Sequence, residues 1–150
     1  MFAAAFAHAF YLSTPVALRR HSNSVFAFAD SPAASRAGVA GARRKCGIAA
    51  PCMTGDPVLE RSIRVQANTL EWLPIFLPSL WLFHLFWAPQ DPMGQIAAGL
   101  GVVWIIGRIL YALGYVKDPG KRELGFLIQT LAAAVLLFGA LGKAVLILLA

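Results

Sequence analysis

Two groups of polar side chains recur at helical spacing within otherwise apolar parts of the chain. Positions i, i+4, i+7 and i+8 share one side of a helix, and in the first group they hold Arg64, Asn68, Glu71 and Trp72. Positions i, i+3 and i+7 also share one side, and in the second group they hold Arg108, Tyr111 and Tyr115, with Lys121 and Arg122 in the loop that follows. Charged residues in or beside a membrane span are costly and are therefore candidates for function. Snorkelling to the lipid headgroups is the structural alternative for the two arginines within the groups.

These side chains together offer several cations, one carboxylate, one amide and two phenols. Such a set suits a small zwitterion with more negative than positive charge, and glutathione, which has two carboxylates, one ammonium and a thiol, meets that description. Arginine would hold the carboxylates and Glu71 the ammonium. Another arginine would stabilise the thiolate, the nucleophilic form of a thiol whose ordinary pKa is about 8.5. An anionic lipid headgroup is the competing ligand, but it would not require Glu71.

The composition excludes an ordinary soluble domain. The 150 residues are 59% hydrophobic and only 13% charged, whereas soluble domains carry about 25% charged residues. Intrinsic disorder is excluded for most of the chain because it requires low hydrophobicity. Residues 1–55 hold six basic residues and one acid, which is +5 of the formal net charge of +6. Beyond residue 64 the few charges lie at the edges of apolar blocks, so we expect a lipid membrane, and no nucleic acid, as a partner.

Three apolar blocks are long enough for membrane helices, which need about 20 residues each. We predict spans at about residues 66–88, 93–116 and 124–146. Pro74 and Pro78 lie in the first block, where neighbouring helices can satisfy the carbonyls that proline leaves free. Basic residues concentrate in 43–64 and 117–123. The positive-inside rule therefore places both segments on the cytosolic-like side and the short loop with Asp91 on the opposite side.

The N-terminal segment, residues 1–41, has a different composition. It contains arginine, is rich in alanine and serine, and is nearly free of acids, which is typical of an organelle transit peptide. A chloroplast or mitochondrial membrane is then the expected location, with the endoplasmic reticulum as the alternative. A degenerate first membrane helix or a wrongly predicted first exon would also explain this segment.

At residues 42–83 and 107–126 the sequence resembles the MAPEG superfamily, which includes microsomal glutathione transferases and leukotriene synthase. The resemblance rests on an RxQxNxxE core from Arg64 to Glu71 and on GRxxYxxGY from Gly107 to Tyr115, and it is strongest to the bacterial-type branch. It implies an all-α integral membrane bundle of four-helix protomers, assembled as a homotrimer with glutathione between subunits. Membrane-facing grooves would admit a lipophilic substrate. Three spans fit this fold, and the first family helix is degenerate or missing.

The resemblance also implies roles for individual residues. In catalysis, Arg122 would activate the thiol and Arg44 would assist the leaving group. The positions implied in glutathione binding are Arg64, Gln66 with a weaker role, Asn68, Glu71, Trp72 where several members have tyrosine, Arg108, Tyr111 and Tyr115. Lys121 is added to this set because it lies in the loop that follows the second group.

The function expected from these residues is a membrane-bound glutathione transferase or peroxidase that acts on lipophilic electrophiles or lipid hydroperoxides. A non-enzymatic protein that binds and presents a membrane lipid is the alternative, and a truncated product without the first helix is a third possibility. We expect no metal, because Cys46 and Cys52 match no zinc pattern. The two cysteines are predicted to be free thiols, with a disulfide between them as the alternative.

Overall fold

The computed structural model of the chain describes residues 38–91 and 94–149. Every regular element in these ranges is helical: α1 (Val39–Cys46), α2 (Pro57–Trp87), α3 (Gln95–Lys117), a 3₁₀ helix (Pro119–Arg122) and α4 (Glu123–Leu149). By length and composition, three stretches can cross a membrane: Pro57–Trp87, Gln95–Lys117 and Pro119–Leu149. The all-α class with three membrane-spanning helices is therefore confirmed. The transit peptide and the degenerate or missing first family helix are both predicted for residues 1–41. Nearly all of these residues lie outside the described ranges.

Local capping sets where α2 begins. The Asp56 carboxylate accepts hydrogen bonds from the backbone nitrogens of Val58 and Leu59, each at 2.9 Å, and Pro57 occupies the first turn, where no amide hydrogen is needed. Glu60 reaches back to the Gly55 nitrogen at 3.1 Å. The helix therefore starts at Pro57, nine residues before the predicted span, because capping fixes the helix end while hydropathy locates only its membrane-embedded part.

A carboxylate also organises the start of α3, at the opposite end of the bundle. Asp91 is buried, and its two oxygens accept from the backbone nitrogens of Gln95 at 2.9 Å and Ile96 at 2.8 Å. Gly94 precedes the helix with φ of 64°, a left-handed conformation that glycine adopts without steric cost. These contacts satisfy amide groups that a helix N-terminus otherwise leaves free.

The three long helices pack around a core of aromatic and small side chains. Phe76 of α2 stacks on Trp104 of α3 with ring centroids 4.0 Å apart. The buried cluster comprises Phe76, Phe83, Ala97, Trp104, Ala132, Ala133, Leu136 and Ala140. Leucine, isoleucine and valine side chains elsewhere on α2, α3 and α4 are exposed on the outside of the single chain, as expected for surfaces that face lipid or another protein.

Glycines bring α3 and α4 into backbone contact. A Cβ atom added to Gly107 would lie 2.6 Å from the Gln129 backbone nitrogen. One added to Gly125 would overlap the Tyr111 backbone nitrogen and lie 2.8 Å from the Gly107 oxygen. Side chains larger than hydrogen therefore do not fit at this crossing. The close approach puts Gln129 of α4 directly beside the polar face of α3.

Candidate functional site

Arg108 forms the centre of a buried polar cluster that joins the three long helices. Its Nη1 donates to Asn68 Oδ1 and to Gln129 Oε1, both at 2.9 Å. Its Nη2 donates to Thr69 Oγ1 at 2.6 Å and to the Val65 carbonyl at 3.3 Å. We call these five residues the Arg108 cluster. It connects α2 to α3 and α4 through a single side chain.

The cluster lies well inside the bundle. Arg108 is 7% exposed, and nine residues separate it from Lys117 at the end of α3, which corresponds to about 14 Å along the helix axis. Among the residues that the structure describes, no carboxylate forms an ion pair with Arg108; its acceptors are neutral oxygens. The Tyr111 ring adds a cation–π contact at 4.5 Å. A buried guanidinium requires such a set of acceptors because an unsatisfied charge is costly.

The cluster orients a carboxylate at its edge. The Asn68 oxygen faces Arg108, so the amide nitrogen points away from it and donates to Glu71 Oε2 at 3.2 Å. Glu71 is exposed, while Arg108 is not. A hydrogen-bonded chain thus runs from a buried cation through an amide to a carboxylate that a ligand can reach.

A row of aromatic rings lies beside the cluster and ends at an arginine. Tyr111 stacks on Tyr115 with centroids 5.7 Å apart, and Phe126 lies 6.5 Å from Tyr111 and 6.0 Å from Trp72. The guanidinium carbon of Arg122 lies 5.4 Å from the centre of the Tyr115 ring. The row joins α2, α3 and α4, and it places an exposed cation next to a half-buried phenol.

A match to the MAPEG family covers residues 1–142. The chain belongs to the MAPEG family. The match begins at residue 1, whereas the resemblance found in the sequence starts at residue 42. Together with the three apolar helices, family membership identifies the chain as an integral membrane protein.

Three relatives show the range of similarity. The chain is 50% identical over 100 residues to an uncharacterized protein from Synechocystis sp., covering 67% of this chain and 69% of the relative. It is 39% identical over 105 residues to microsomal glutathione S-transferase 2 from Homo sapiens, covering 69% and 67%. It is 34% identical over 84 residues to leukotriene C4 synthase from Bos taurus, covering 56% and 53%.

The structure of this MAPEG protein divides ten of the eleven predicted site residues into three sets. Asn68, Glu71 and Arg108 share one hydrogen-bonded chain, and the aromatic row contains Trp72, Tyr111, Tyr115 and Arg122. Arg64, Gln66 and Lys121 are exposed, and within residues 38–91 and 94–149 their side chains join neither set. Arg44 is exposed in the last turn of α1.

Arg61 has a structural role at the basic end. Arg61 donates to the carbonyl oxygens of Val116 at 3.3 Å and Lys117 at 3.0 Å, where the C-terminal end of α3 attracts a cation. This contact shows that the start of α2 lies beside the end of α3. Cys46 and Cys52 are both free, as predicted.

Sequence reasoning missed three residues of this region. Gln129 and Thr69 each accept a hydrogen bond from Arg108, and Phe126 bridges the aromatic row. One signal for Gln129 was present: with Thr130, it interrupts the otherwise apolar stretch 124–142. A polar side chain at membrane depth needs a partner, and Arg108 is that partner.

Proposed function

We propose that this MAPEG protein is a membrane-bound glutathione transferase that conjugates glutathione to lipophilic electrophiles or uses it to reduce lipid hydroperoxides. One observation carries the proposal: an exposed carboxylate, Glu71, is oriented by Asn68 and a buried arginine, with further exposed cations at the same end of the bundle. Similarity to microsomal glutathione S-transferase 2 supports glutathione as the ligand.

In the proposed complex the ligand's charges meet groups of opposite sign. The Glu71 carboxylate would bind the ammonium group of glutathione, and Arg64 and Lys121 would bind its two carboxylates. Gln66, Trp72 and Tyr115 would line the same site. Arg108 and Tyr111 would support the site without contacting the ligand. Each is less than a tenth exposed and does not reach the surface on which the ligand would lie.

Arg122 is the residue that we assign to thiol activation. Its exposed guanidinium, held over the Tyr115 ring, would stabilise the thiolate and so raise the nucleophilic fraction at neutral pH. The thiolate sulfur then forms a bond to the electrophilic carbon while the leaving group departs, assisted by Arg44. With a hydroperoxide, the sulfur attacks the terminal oxygen and the O–O bond breaks. The alcohol leaves with a proton, and the resulting sulfenic acid condenses with a second glutathione to give the disulfide and water.

The assembly and the location are part of the same proposal. A homotrimer would cover some of the apolar surface that the single chain exposes, and lipid would cover the rest and deliver the lipophilic substrate. Targeting by residues 1–41 to a chloroplast or mitochondrial membrane remains a prediction, with the endoplasmic reticulum as the alternative.

The test is the ultraviolet absorbance of the glutathione thiolate on addition of the detergent-purified protein. We expect the wild type to give the signal and Arg122→Ala to lose it, with a fall in turnover of about 100-fold, or ~2.7 kcal/mol. Arg122→Lys, which keeps the charge but not the planar fork, should retain part of the signal. A folded wild-type sample without any signal would contradict the proposal and favour the lipid-presenting alternative.

A further inference from the structure

Gln129 is a fully buried amide in the second turn of the apolar helix α4. Its exposed fraction is 0%. The oxygen accepts from Arg108 Nη1 at 2.9 Å, while the nitrogen has no hydrogen-bond partner in the described part of the chain. A buried amide that leaves its donor unsatisfied is costly. Within the described part of the chain, the bond from Arg108 is the one hydrogen bond that the Gln129 side chain makes.

We propose that Gln129 is a positioning residue that tunes the recognition of the ligand's ammonium group. It would act at a distance: Gln129 holds Arg108, Arg108 orients the Asn68 amide, and Asn68 holds Glu71. This inference rests on the proposed function, since it assigns the ammonium group of glutathione to Glu71.

The number of donors on Arg108 supports this role. The two terminal nitrogens of a guanidinium carry four hydrogens, and Arg108 directs them to Asn68, Gln129, Thr69 and the Val65 carbonyl. Every terminal hydrogen therefore has its own acceptor. Without the Gln129 oxygen, one Nη1 hydrogen would be buried and unsatisfied, and the guanidinium would turn toward another acceptor.

Such a rotation of the Arg108 guanidinium would alter the ligand site through Asn68. The Asn68 amide is fixed because its oxygen faces a cation and its nitrogen faces a carboxylate. If Nη1 moves, the amide loses the contact that determines its orientation, and Glu71 loses its only hydrogen-bond donor in the described ranges. The carboxylate stays exposed but is no longer held in one position, so it binds an ammonium group less well.

The proposal predicts that a Gln129 variant changes the affinity for one of two ligands that differ only by an ammonium group. Glutathione carries the ammonium; its des-amino analogue, glutaryl-cysteinyl-glycine, does not. We expect Gln129→Met, which keeps the volume but removes the acceptor, to raise the Kd for glutathione about tenfold. The Kd for the des-amino analogue should change by less than about twofold, because that ligand makes no use of Glu71. Glu71→Gln should give the same selective loss.

Two further variants test the mechanism, and a third serves as control. Gln129→Glu keeps an acceptor oxygen at the same reach and should restore glutathione affinity. Gln129→Asn shortens the side chain by one bond, so its oxygen lies farther from Arg108. We expect a smaller loss of glutathione affinity that is equally selective. This variant replaces Gln129→Met if the methionine variant does not fold. Thr130→Val removes a buried neighbouring hydroxyl that has no partner in the described part of the chain and should change neither affinity.

The outcomes distinguish the two proposals. Equal weakening of both ligands by Gln129→Met or Gln129→Asn, or no weakening of either, would overturn the positioning role while leaving the proposed function intact. A folded wild type that binds neither ligand would overturn the proposed function and this inference with it. Selective loss with rescue by Gln129→Glu is the expected result, and packing alone would not produce it.

Discussion

The two halves of the bundle are held together by different kinds of contact. The polar half, which contains the Arg108 cluster, joins its helices by hydrogen bonds from a guanidinium to neutral oxygens. The apolar half, around Phe83, Trp87 and Gly139, joins α2 to α4 mainly by a close contact between the Phe83 ring and Gly139, with one hydrogen bond from Trp87 to the Gly139 carbonyl. The Phe83 and Trp87 rings, both on α2, stack on each other at 5.4 Å. Both halves bury their contacts, but the buried charge of the first, Arg108, links three helices, whereas Asp91, at the other end of the bundle, caps the start of α3.

The difference matters because hydrogen bonds are directional and dispersion contacts are not. An arginine with fixed acceptors determines which way a neighbouring amide points, so the polar half can orient a side chain toward a ligand. Stacked rings and small residues determine how closely two helices approach, which stabilises the fold without orienting a polar group. Substitutions that disturb the Arg108 cluster should therefore change function as well as stability, whereas those in the apolar half should change stability alone.

The largest expected effect is a loss of stability when a methyl group is added to a glycine at a helix contact. The loss should differ between the two halves of the bundle. Gly125→Ala would drive a methyl group into the backbone of Tyr111 and the Gly107 oxygen, and because backbone atoms cannot move aside, α3 and α4 must separate. We expect a loss of about 3 kcal/mol in the free energy of unfolding. The matched control is Gly139→Ala, whose methyl would meet the edge of the Phe83 ring at 2.6 Å; a ring can turn, so about 1 kcal/mol is expected.

Denaturant titrations of both glycine variants in the same detergent would measure this contrast. Equal losses would show that the two crossings tolerate a methyl group equally well, and the distinction between backbone and ring contacts would be wrong. Glutathione affinity should fall only in the Gly125 variant, because the separated helices also part Gln129 from Arg108.

The next effect concerns the geometry of the buried cation. Arg108→Lys keeps the charge but replaces a planar fork with a single ammonium, which cannot reach both Asn68 and Thr69 in their present positions. We expect a loss of about 2 kcal/mol in the free energy of unfolding and weaker glutathione binding. Calorimetric titration and thermal unfolding of the same sample would measure both.

Arg61→Lys is the control for this prediction. Arg61 donates to two adjacent carbonyl oxygens at the end of α3, a contact that a point charge can replace, so its loss should be about 0.5 kcal/mol or less. A similar cost for both lysine variants would mean that the Arg108 cluster requires only a positive charge and that its directional geometry is unimportant.

Parts of this architecture could be predicted from the sequence because they depend on local patterns. Hydropathy locates three spans, and helical spacing puts Arg64, Asn68 and Glu71 on one side of α2. The same spacing cannot distinguish Arg64 from Arg108, since both arginines lie near the basic end of a span. The structure separates them: Arg64 is exposed, and Arg108 is 7% exposed.

The sequence does not show which faces of the three long helices meet in the bundle. Gln129 meets Arg108 across 21 residues of sequence, and this contact depends on the glycines that let α3 and α4 touch. A single sequence indicates that a polar side chain in an apolar span needs a partner, but it does not say which of several cations supplies it. The missed role of Phe126 has the same cause, because its ring contacts join α4 to both α2 and α3.

The smallest expected effect tests whether the apolar half is indifferent to a lost hydrogen bond. Trp87 Nε1 donates to the Gly139 carbonyl at 3.1 Å, and Lys143 lies 5.5 Å from the centre of the Trp87 ring. Trp87→Phe removes the donor but keeps a ring to stack on Phe83, and the Gly139 oxygen retains its ordinary helical bond to the nitrogen four residues later. No buried group is left unsatisfied, so we expect a loss of about 1 kcal/mol or less and unchanged glutathione affinity. Combined with Arg108→Lys, its cost should add to within about 0.5 kcal/mol, since the two sites share no partner; marked non-additivity would show that the two halves are energetically coupled.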